Sequence, residues 1–292
     1  MMTLKKYLLL VLAVGYSFNS CDVIEEPFLV EKEVECDFCE AFIFPTQENY
    51  VKKVLLEDYT GHTCGNCPRA AEKADELKET YQNQLVVMAV HAGYFAEPYS
   101  TGDKYRTDFR TDAGNNWNQH FGNSSAGNPN GMINRIEFPS SHIFQFTQWE
   151  EKIVEQLEED PIVGLQIKSS YDSLLNVICI DVQTKILSSL SNELNITVVL
   201  LESEIISNQK DYSFDPDFLA DYEHNHVLRK GLNGAWGEPI GDGLHTVGQL
   251  YTHRFCVDKK SDWNASNLTV VAYVSNPETY EVLQAEEIHL ID

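Results

Sequence analysis

Positive charge is what this chain has least of. Lys and Arg number 21 against 45 Asp and Glu, for a formal net charge of −24. Nucleic-acid binding depends on clustered basic side chains, so that class of partner is excluded. Long apolar runs are lacking as well: the run from Tyr7 to Gly15 is too short to cross a bilayer, which takes about 20 residues. Nor does the composition lack apolar residues in the way of a disordered chain. With 43% apolar and 23% charged residues, the 292-residue chain can bury a sizeable core and is long enough for about two domains.

The first twenty residues read as a secretory signal. Lys5 and Lys6 give a basic start, Tyr7 to Gly15 the apolar segment, and Phe18-Asn19-Ser20 a short exit before Cys21. A Cys after a small residue at this place resembles the bacterial lipobox, which implies acylation of Cys21 and membrane anchoring through a lipid. The alternative is an ordinary signal cleaved nearby, with Cys21 incidental. Residues 21–48 are acidic, non-periodic and broken by Pro27 and Pro45, and read as a tether.

Removing Cys21 from the seven cysteines leaves an even set: Cys36, Cys39, Cys64, Cys67, Cys179 and Cys256. In an oxidising exported compartment these are disulfide candidates. Proximity in sequence favours Cys36–Cys39, Cys64–Cys67 and Cys179–Cys256, one of the fifteen connectivities open to six cysteines.

Beyond residue 48 the apolar period changes twice. Val51 to Asp58 reads as a strand, Arg69 to Tyr81 as a helix with Ala71, Ala74, Leu77 and Tyr81 in a stripe, and Gln84 to His91 as a strand buried on both faces. That is a βαβ unit. Residues 94–126 look like an insertion with helical character around Trp117 to Phe121, and Phe146 to Leu157 reads as a helix. After Pro161 the period is two, with strands expected at Ile162–Tyr171, Leu175–Lys185, Leu194–Glu202, Leu244–Val257, Leu268–Ser275 and Val282–Ile291. The expected organisation is a signal (1–20), a tether (21–48), an α/β domain (49–160) and an all-β, sandwich-like domain (161–292).

Cys64-Gly65-Asn66-Cys67 sits where the first strand meets the helix. Free N–H groups and the positive dipole end of a helix stabilise a thiolate, and the second Cys is close enough to resolve a mixed disulfide on the first. A disulfide that only staples the domain is the competing reading. A zinc ribbon from Cys36, Cys39, Cys64 and Cys67 has a suitable donor set but a long gap. His224 with His226, and Asp215, Asp217 and Asp221, are incomplete ligand sets, so no metal and no cofactor is assigned.

Glu57-Asp58-Tyr59 followed by Cys64-Gly65-Asn66-Cys67 resembles the thioredoxin superfamily. The resemblance implies a thioredoxin-like fold for 49–160, Cys64 as attacking thiol, Cys67 as resolving thiol and Asp58 as the buried carboxylate that moves its proton. It also implies a cis-proline role for Pro129. The chain departs from the pattern in carrying Thr63 where an aromatic usually precedes the first Cys, with His62 before it. Together with Cys21, the blocks Glu57 to Pro68, Val90-His91-Ala92-Gly93, Gly127-Asn128-Pro129, Asn134-Arg135 and His226-Val227-Leu228-Arg229 are similar to the 28-kDa outer-membrane lipoprotein family of Gram-negative anaerobes. That resemblance implies an outer-membrane lipid-anchored protein. Its partners would be thiols or disulfides of exported proteins, or else a surface ligand met by Tyr94, Phe95, Tyr99, Tyr105, Trp117 and Phe121 in a non-enzymatic binding role.

Overall fold

The computed structural model describes Cys36 and residues 38–291. The signal segment and Cys21 lie outside them. Strand β1 (Val54–Thr60) leads through a turn into helix α1 (Cys67–Tyr81), and β2 (Leu85–His91) returns parallel to β1. Every residue of both strands is buried, as expected of strands covered on two faces. Ala70, Ala74 and Leu77 give α1 its buried stripe, and Pro68 fits its first turn, where no backbone N–H is needed. Two helices, α2 (Asp112–Phe121) and α3 (Asn123–Ala126), precede β3 (Asn130–Ile133), which pairs antiparallel with β1. Helix α4 (Trp149–Leu157) closes this part.

The remaining strands are β4 (Val163–Asp172), β5 (Val177–Ile186), β6 (Asn195–Glu202), β7 (Ile205–Lys210), β8 (Phe218–His224), β9 (Val227–Gly231), β10 (Glu238–Pro239), β11 (Leu250–Asp258), β12 (Leu268–Ser275) and β13 (Val282–His289). Six of them match expected strands. The strands β7, β8, β9 and the two-residue β10 were not expected: β7 and β8 are half-buried and mixed in polarity, and pair only with each other.

The boundary expected at residue 160 does not separate two sheets. One eight-stranded sheet runs β13-β12-β6-β9-β2-β1-β3, with β10 beside β6, and the described residues form one compact unit. Strand β9 joins the halves by lying parallel to β2, with Val227 opposite Ala89. The sheet curls until β13 meets the segment before β1: Lys53 N–H donates to Gln284 Oε1 at 2.8 Å, and Gln284 Nε2 donates to Val51 O at 2.9 Å. Leu55, Tyr59, Met88, Val199, Leu228, Val271 and Tyr273 therefore share one interior with Trp117 of α2. Outside it, α1 and α4 pack on Val54, Leu56 and Val87. A three-stranded sheet, β11-β5-β4, packs on β6 and β12 through Ile180, Val182, Val198 and Val270. The sandwich-like part thus has one layer of its own and borrows the other from the shared sheet.

The tether reading also needs correction from Cys36 onward. Cys36 is bonded to Cys256, and Cys39 to Cys179. Proximity in sequence misled the pairing, because Cys179 and Cys256 face each other across β5 and β11 and each takes a partner from the incoming segment. Phe42 N–H also donates to Asp181 at 3.1 Å. The segment is stapled to the sheet rather than loose.

Inside the curled sheet lies a buried ion pair. Arg135 donates to both Glu57 oxygens at 2.8 Å and to Tyr273 Oη at 3.0 Å, with Trp117, Phe121 and Tyr273 rings about its guanidinium. Arg135→Ala leaves the Glu57 carboxylate buried alone, a loss of about 3–5 kcal/mol. Urea titration should show that drop, and should show most of it recovered in Glu57→Leu/Arg135→Met. A change within the error of the titration would refute the role given to the pair.

Candidate functional site

The turn after β1 is shaped by close backbone approaches. A Cβ at Gly61 would lie 2.4 Å from the Phe95 carbonyl carbon, so only glycine fits there. Thr63 donates to Phe95 O through its N–H at 3.1 Å and its Oγ1 at 2.9 Å, and His62 Nε2 lies 3.2 Å from Glu97 O. Segment 94–97 thereby fixes the approach to Cys64. Cys64 and Cys67 are joined as a disulfide, and Cys67 is the first residue of α1. The first turn of α1 contains no acid, so nothing there cancels the positive end of the helix.

Both sulphur-bearing residues are buried, Cys64 at 3% and Cys67 at 1% exposure. What covers them is the β7–β8 hairpin. Lys210 N–H donates to His62 O at 2.8 Å, Tyr212 N–H to Gly65 O at 2.9 Å, and Gln209 Nε2 to Cys64 O at 3.1 Å. The Tyr212 ring lies so close over Gly65 that a Cβ there would sit 2.7 Å from it. Gly65 is thus the residue that lets the hairpin close.

Beneath the disulfide, Asp58, Cys67, His91, Gln209, Tyr222 and His224 line a cavity of about 30 Å³, room for a water. Burial, with the nearby Asp75 carboxylate, pushes the Asp58 carboxyl up to about 8, and its Oδ1 has no hydrogen-bond partner. Burial holds His91 well below the usual imidazole range and His224 down to about 4, so both are neutral at pH 7. They pack on Phe109 at ring distances of 4.8 and 4.9 Å. His91 and His224 were not expected as members of this site. The signal for His91 was a polar residue closing an otherwise apolar strand.

Other expected residues fall elsewhere. Pro129 follows a cis peptide bond and precedes β3, where Asn130 stands opposite Tyr59, but it lines neither this cavity nor the cleft outside it. That cleft, about 430 Å³, is bounded by Thr63, Tyr94, Phe95, Tyr99, Lys210 and Tyr212 among others. Of the six aromatics considered for a contact surface, Tyr94 and Tyr99 are exposed, Phe95 is half-buried, and Tyr105, Trp117 and Phe121 are buried. The zinc-ribbon grouping is not formed, because Cys64 and Cys67 bond to each other while Cys36 and Cys39 bond elsewhere. His224 ends β8 in the interior, whereas His226 sits at φ 56° with Nε2 3.5 Å from Asp75, so the two do not form a ligand pair.

Tyr212→Ala removes the ring that seals Gly65. Reduction of Cys64–Cys67 by dithiothreitol in the folded protein, followed by alkylation and mass mapping, should accelerate by about tenfold, the equivalent of ~1.4 kcal/mol of hairpin docking. An unchanged rate would mean that the hairpin is not the barrier.

The family model for outer membrane protein Omp28 matches residues 115–290. Among curated proteins, none matches. HBP35 of Porphyromonas gingivalis is similar in structure at a TM-score of 0.57 and 18% identity, over 84% of this chain and 77% of that one, which supports the fold alone. A domain of the outer membrane lipoprotein Omp28 from Porphyromonas gingivalis aligns at 22% identity over 44% of this chain and 88% of that one, with a TM-score of 0.30. A protein from Agrobacterium tumefaciens aligns at 12% identity over 84% of this chain and 97% of that one, with a TM-score of 0.49. No helix among the described residues is long and apolar enough to cross a membrane. With its matched segment covering more than half of its length, the chain belongs to the Omp28 family and is an outer membrane protein of the cell envelope.

Proposed function

We propose that this protein is a thiol–disulfide oxidoreductase acting on exported proteins, with a thioredoxin-like unit between β1 and α4 and a lipid on Cys21 as its anchor. The observation that carries the reading is a buried, partnerless carboxyl, Asp58, on the wall of the same small cavity as Cys67. The element order supports it: a strand, a CxxC helix, a parallel strand, and then an antiparallel strand after Pro129.

Loop-closure entropy favours a chemical role over a mechanical one. A disulfide spanning 3 residues restrains the unfolded chain by about 2 kcal/mol, whereas those spanning 140 and 220 residues restrain it by about 5 kcal/mol each. Cys64–Cys67 is a weak staple beside two strong ones.

In the reduced form, the end of α1 favours the Cys64 thiolate, which attacks a substrate disulfide and expels one substrate thiolate. The ionised fraction of Asp58, which grows as pH approaches 8, takes the Cys67 proton across the cavity, and the Cys67 thiolate attacks Cys64 Sγ. The second substrate thiolate leaves, and the Cys64–Cys67 disulfide is restored. Access requires the β7–β8 hairpin to lift from Gly65, and the adjoining cleft offers Tyr94 and Tyr99 to an extended polypeptide. Cys64→Ser should lower dithiothreitol-driven insulin reduction to the uncatalysed rate. Equal rates for the native protein and the variant would sink the enzymatic reading and leave the alternative, a binding protein whose exposed Tyr94 and Tyr99 meet a surface ligand.

Asp58 also gives a pH test with a definite sign. Its carboxyl stays protonated in the folded protein up to about pH 8, while in the unfolded chain it ionises near the ordinary aspartate value of 3.8. The folded state thus binds the extra proton between those limits, and this group makes stability fall as pH rises from about 4 to 8. Denaturant titrations of Asp58→Asn should lose that decline and show the variant gaining on the native protein at pH 8 relative to pH 5. A parallel pH dependence in both proteins would contradict the raised Asp58 carboxyl to which the proton step is assigned.

A further inference from the structure

Four cysteines far from the CxxC site converge on one spot. Cys36 and Cys39 enter on the segment before β1, while Cys179 on β5 and Cys256 on β11 are directly opposed. In the oxidised protein they form two disulfides, yet the pairs are not independent. Cys39 Sγ lies 3.4 Å from Cys256 Sγ, outside its own bond, and the sulphurs of Cys39, Cys179 and Cys256 all lie within 4.8 Å of one another. Cys36 is tied to this group of three through its bond to Cys256.

These are the dimensions of a tetrathiolate centre. Sulphurs at about 2.3 Å from a tetrahedral ion are roughly 3.8 Å apart, which the spacing of Cys39, Cys179 and Cys256 already brackets, and Cys36, released from Cys256 by reduction, would swing in as the fourth. The two-residue gap of Cys36-Asp37-Phe38-Cys39 is a common zinc-ligand spacing, and the opposed strands supply the second pair. Soft thiolates in tetrahedral array select Zn²⁺ among available divalent ions. Arg254, paired with Asp181 at 2.7 Å, also donates to Cys39 O at 3.1 Å and so holds Cys39 against β5 and β11 whatever the state of the sulphurs. Cys39 and Cys179 are buried, and Val177 and Phe42 pack beside them.

We propose that Cys36, Cys39, Cys179 and Cys256 form a redox-dependent zinc site, two disulfides when oxidised and one Cys₄ centre when reduced. The balance is simple. Two equivalents of a dithiol reductant give two electrons and two protons to each disulfide, yielding four thiols and two oxidised reductants. Binding one Zn²⁺ then releases four protons. In either state the segment entering from residue 36 stays pinned to β5 and β11, so a zinc ion can replace the staples that reduction removes.

The test uses the full chain, reduced with tris(2-carboxyethyl)phosphine, exposed to Zn²⁺ or Co²⁺ and freed of excess metal. The expected result is one zinc per chain by elemental analysis, with Co²⁺ giving the intense visible bands of a tetrahedral thiolate complex. Cys64→Ser/Cys67→Ser should retain both signals, which separates this site from the proposed redox pair. Cys39→Ser should weaken zinc binding at least tenfold. If reduction unfolds the chain, zinc should restore its circular dichroism. Absence of stoichiometric metal in the reduced chain, failure of zinc to refold an unfolded one, or metal that survives Cys39→Ser and departs with Cys64→Ser/Cys67→Ser would overturn the assignment.

Discussion

The contact on which the rest of the molecule depends is the Glu57–Arg135 pair inside the curled sheet. Both groups are almost wholly removed from water, and an ion pair in that setting is tolerable only when its remaining donors and acceptors are met. Glu57 arrives on β1, Arg135 just after β3, and the hydroxyl of Tyr273 on β12, so three strands must come together in one register. Asn134 and Arg135 take left-handed backbone angles, φ 47° and 54°, a conformation that costs roughly 1–2 kcal/mol for each L residue. Hydrogen bonds of Asn134 to both backbone groups of Leu55, at 2.9 Å each, offset this and fix the junction.

The same constraint positions the candidate site. Once β1 is held through Glu57, the next residue, Asp58, is directed to the other face of the sheet, toward α1 and the cavity beneath Cys67. The alternation that puts a charge into the interior therefore puts a second carboxyl beneath the disulfide. The two meet opposite fates: Glu57 finds a guanidinium and remains an ion, while Asp58 finds no cation and keeps its proton to about pH 8. Covering the site with β7–β8 strengthens that effect by excluding water, but it also closes the route by which a protein substrate would reach Cys64. Burial and access are thus set by one element, and the hydrogen bonds of Lys210 and Tyr212 to the CxxC turn are where the balance lies.

Much of the framework was legible because its apolar periods are strong. Leu85 to Val90 could only be a strand buried on both faces, and Ala74 and Leu77 mark the inner side of α1. The hairpin was illegible for the opposite reason. Its Ser207, Asn208 and Gln209 carry no apolar alternation, and its register shifts at Ser207/Gln209. The cap over the cysteines, with Gln209 and His224, was therefore beyond periodicity. The domain division failed at β9, a short strand whose pairing with β2 rests on Val227 opposite Ala89, a long-range contact with no local signature. Disulfide partners were misread because pairing by closeness along the chain ignores that cross-strand neighbours in β5 and β11 both faced the incoming segment.

The family match begins at residue 115 and so contains Arg135, the hairpin and Tyr273, but neither Glu57 nor the CxxC motif. That matched segment cannot complete its interior alone, since it brings the guanidinium and the hydroxyl but not the carboxylate that neutralises them. Strand β1 is a structural necessity of this chain for that reason, and α1 is needed to cover its outer face. The same dependence appears at Cys179 and Cys256, whose partners also lie before residue 115. The sulphurs at 64 and 67 are different. They are buried but belong to none of the apolar clusters described, and their short loop restrains the unfolded chain little. Packing accounts for the strand and helix around the CxxC pair, and the proposed exchange chemistry is what would use the pair itself.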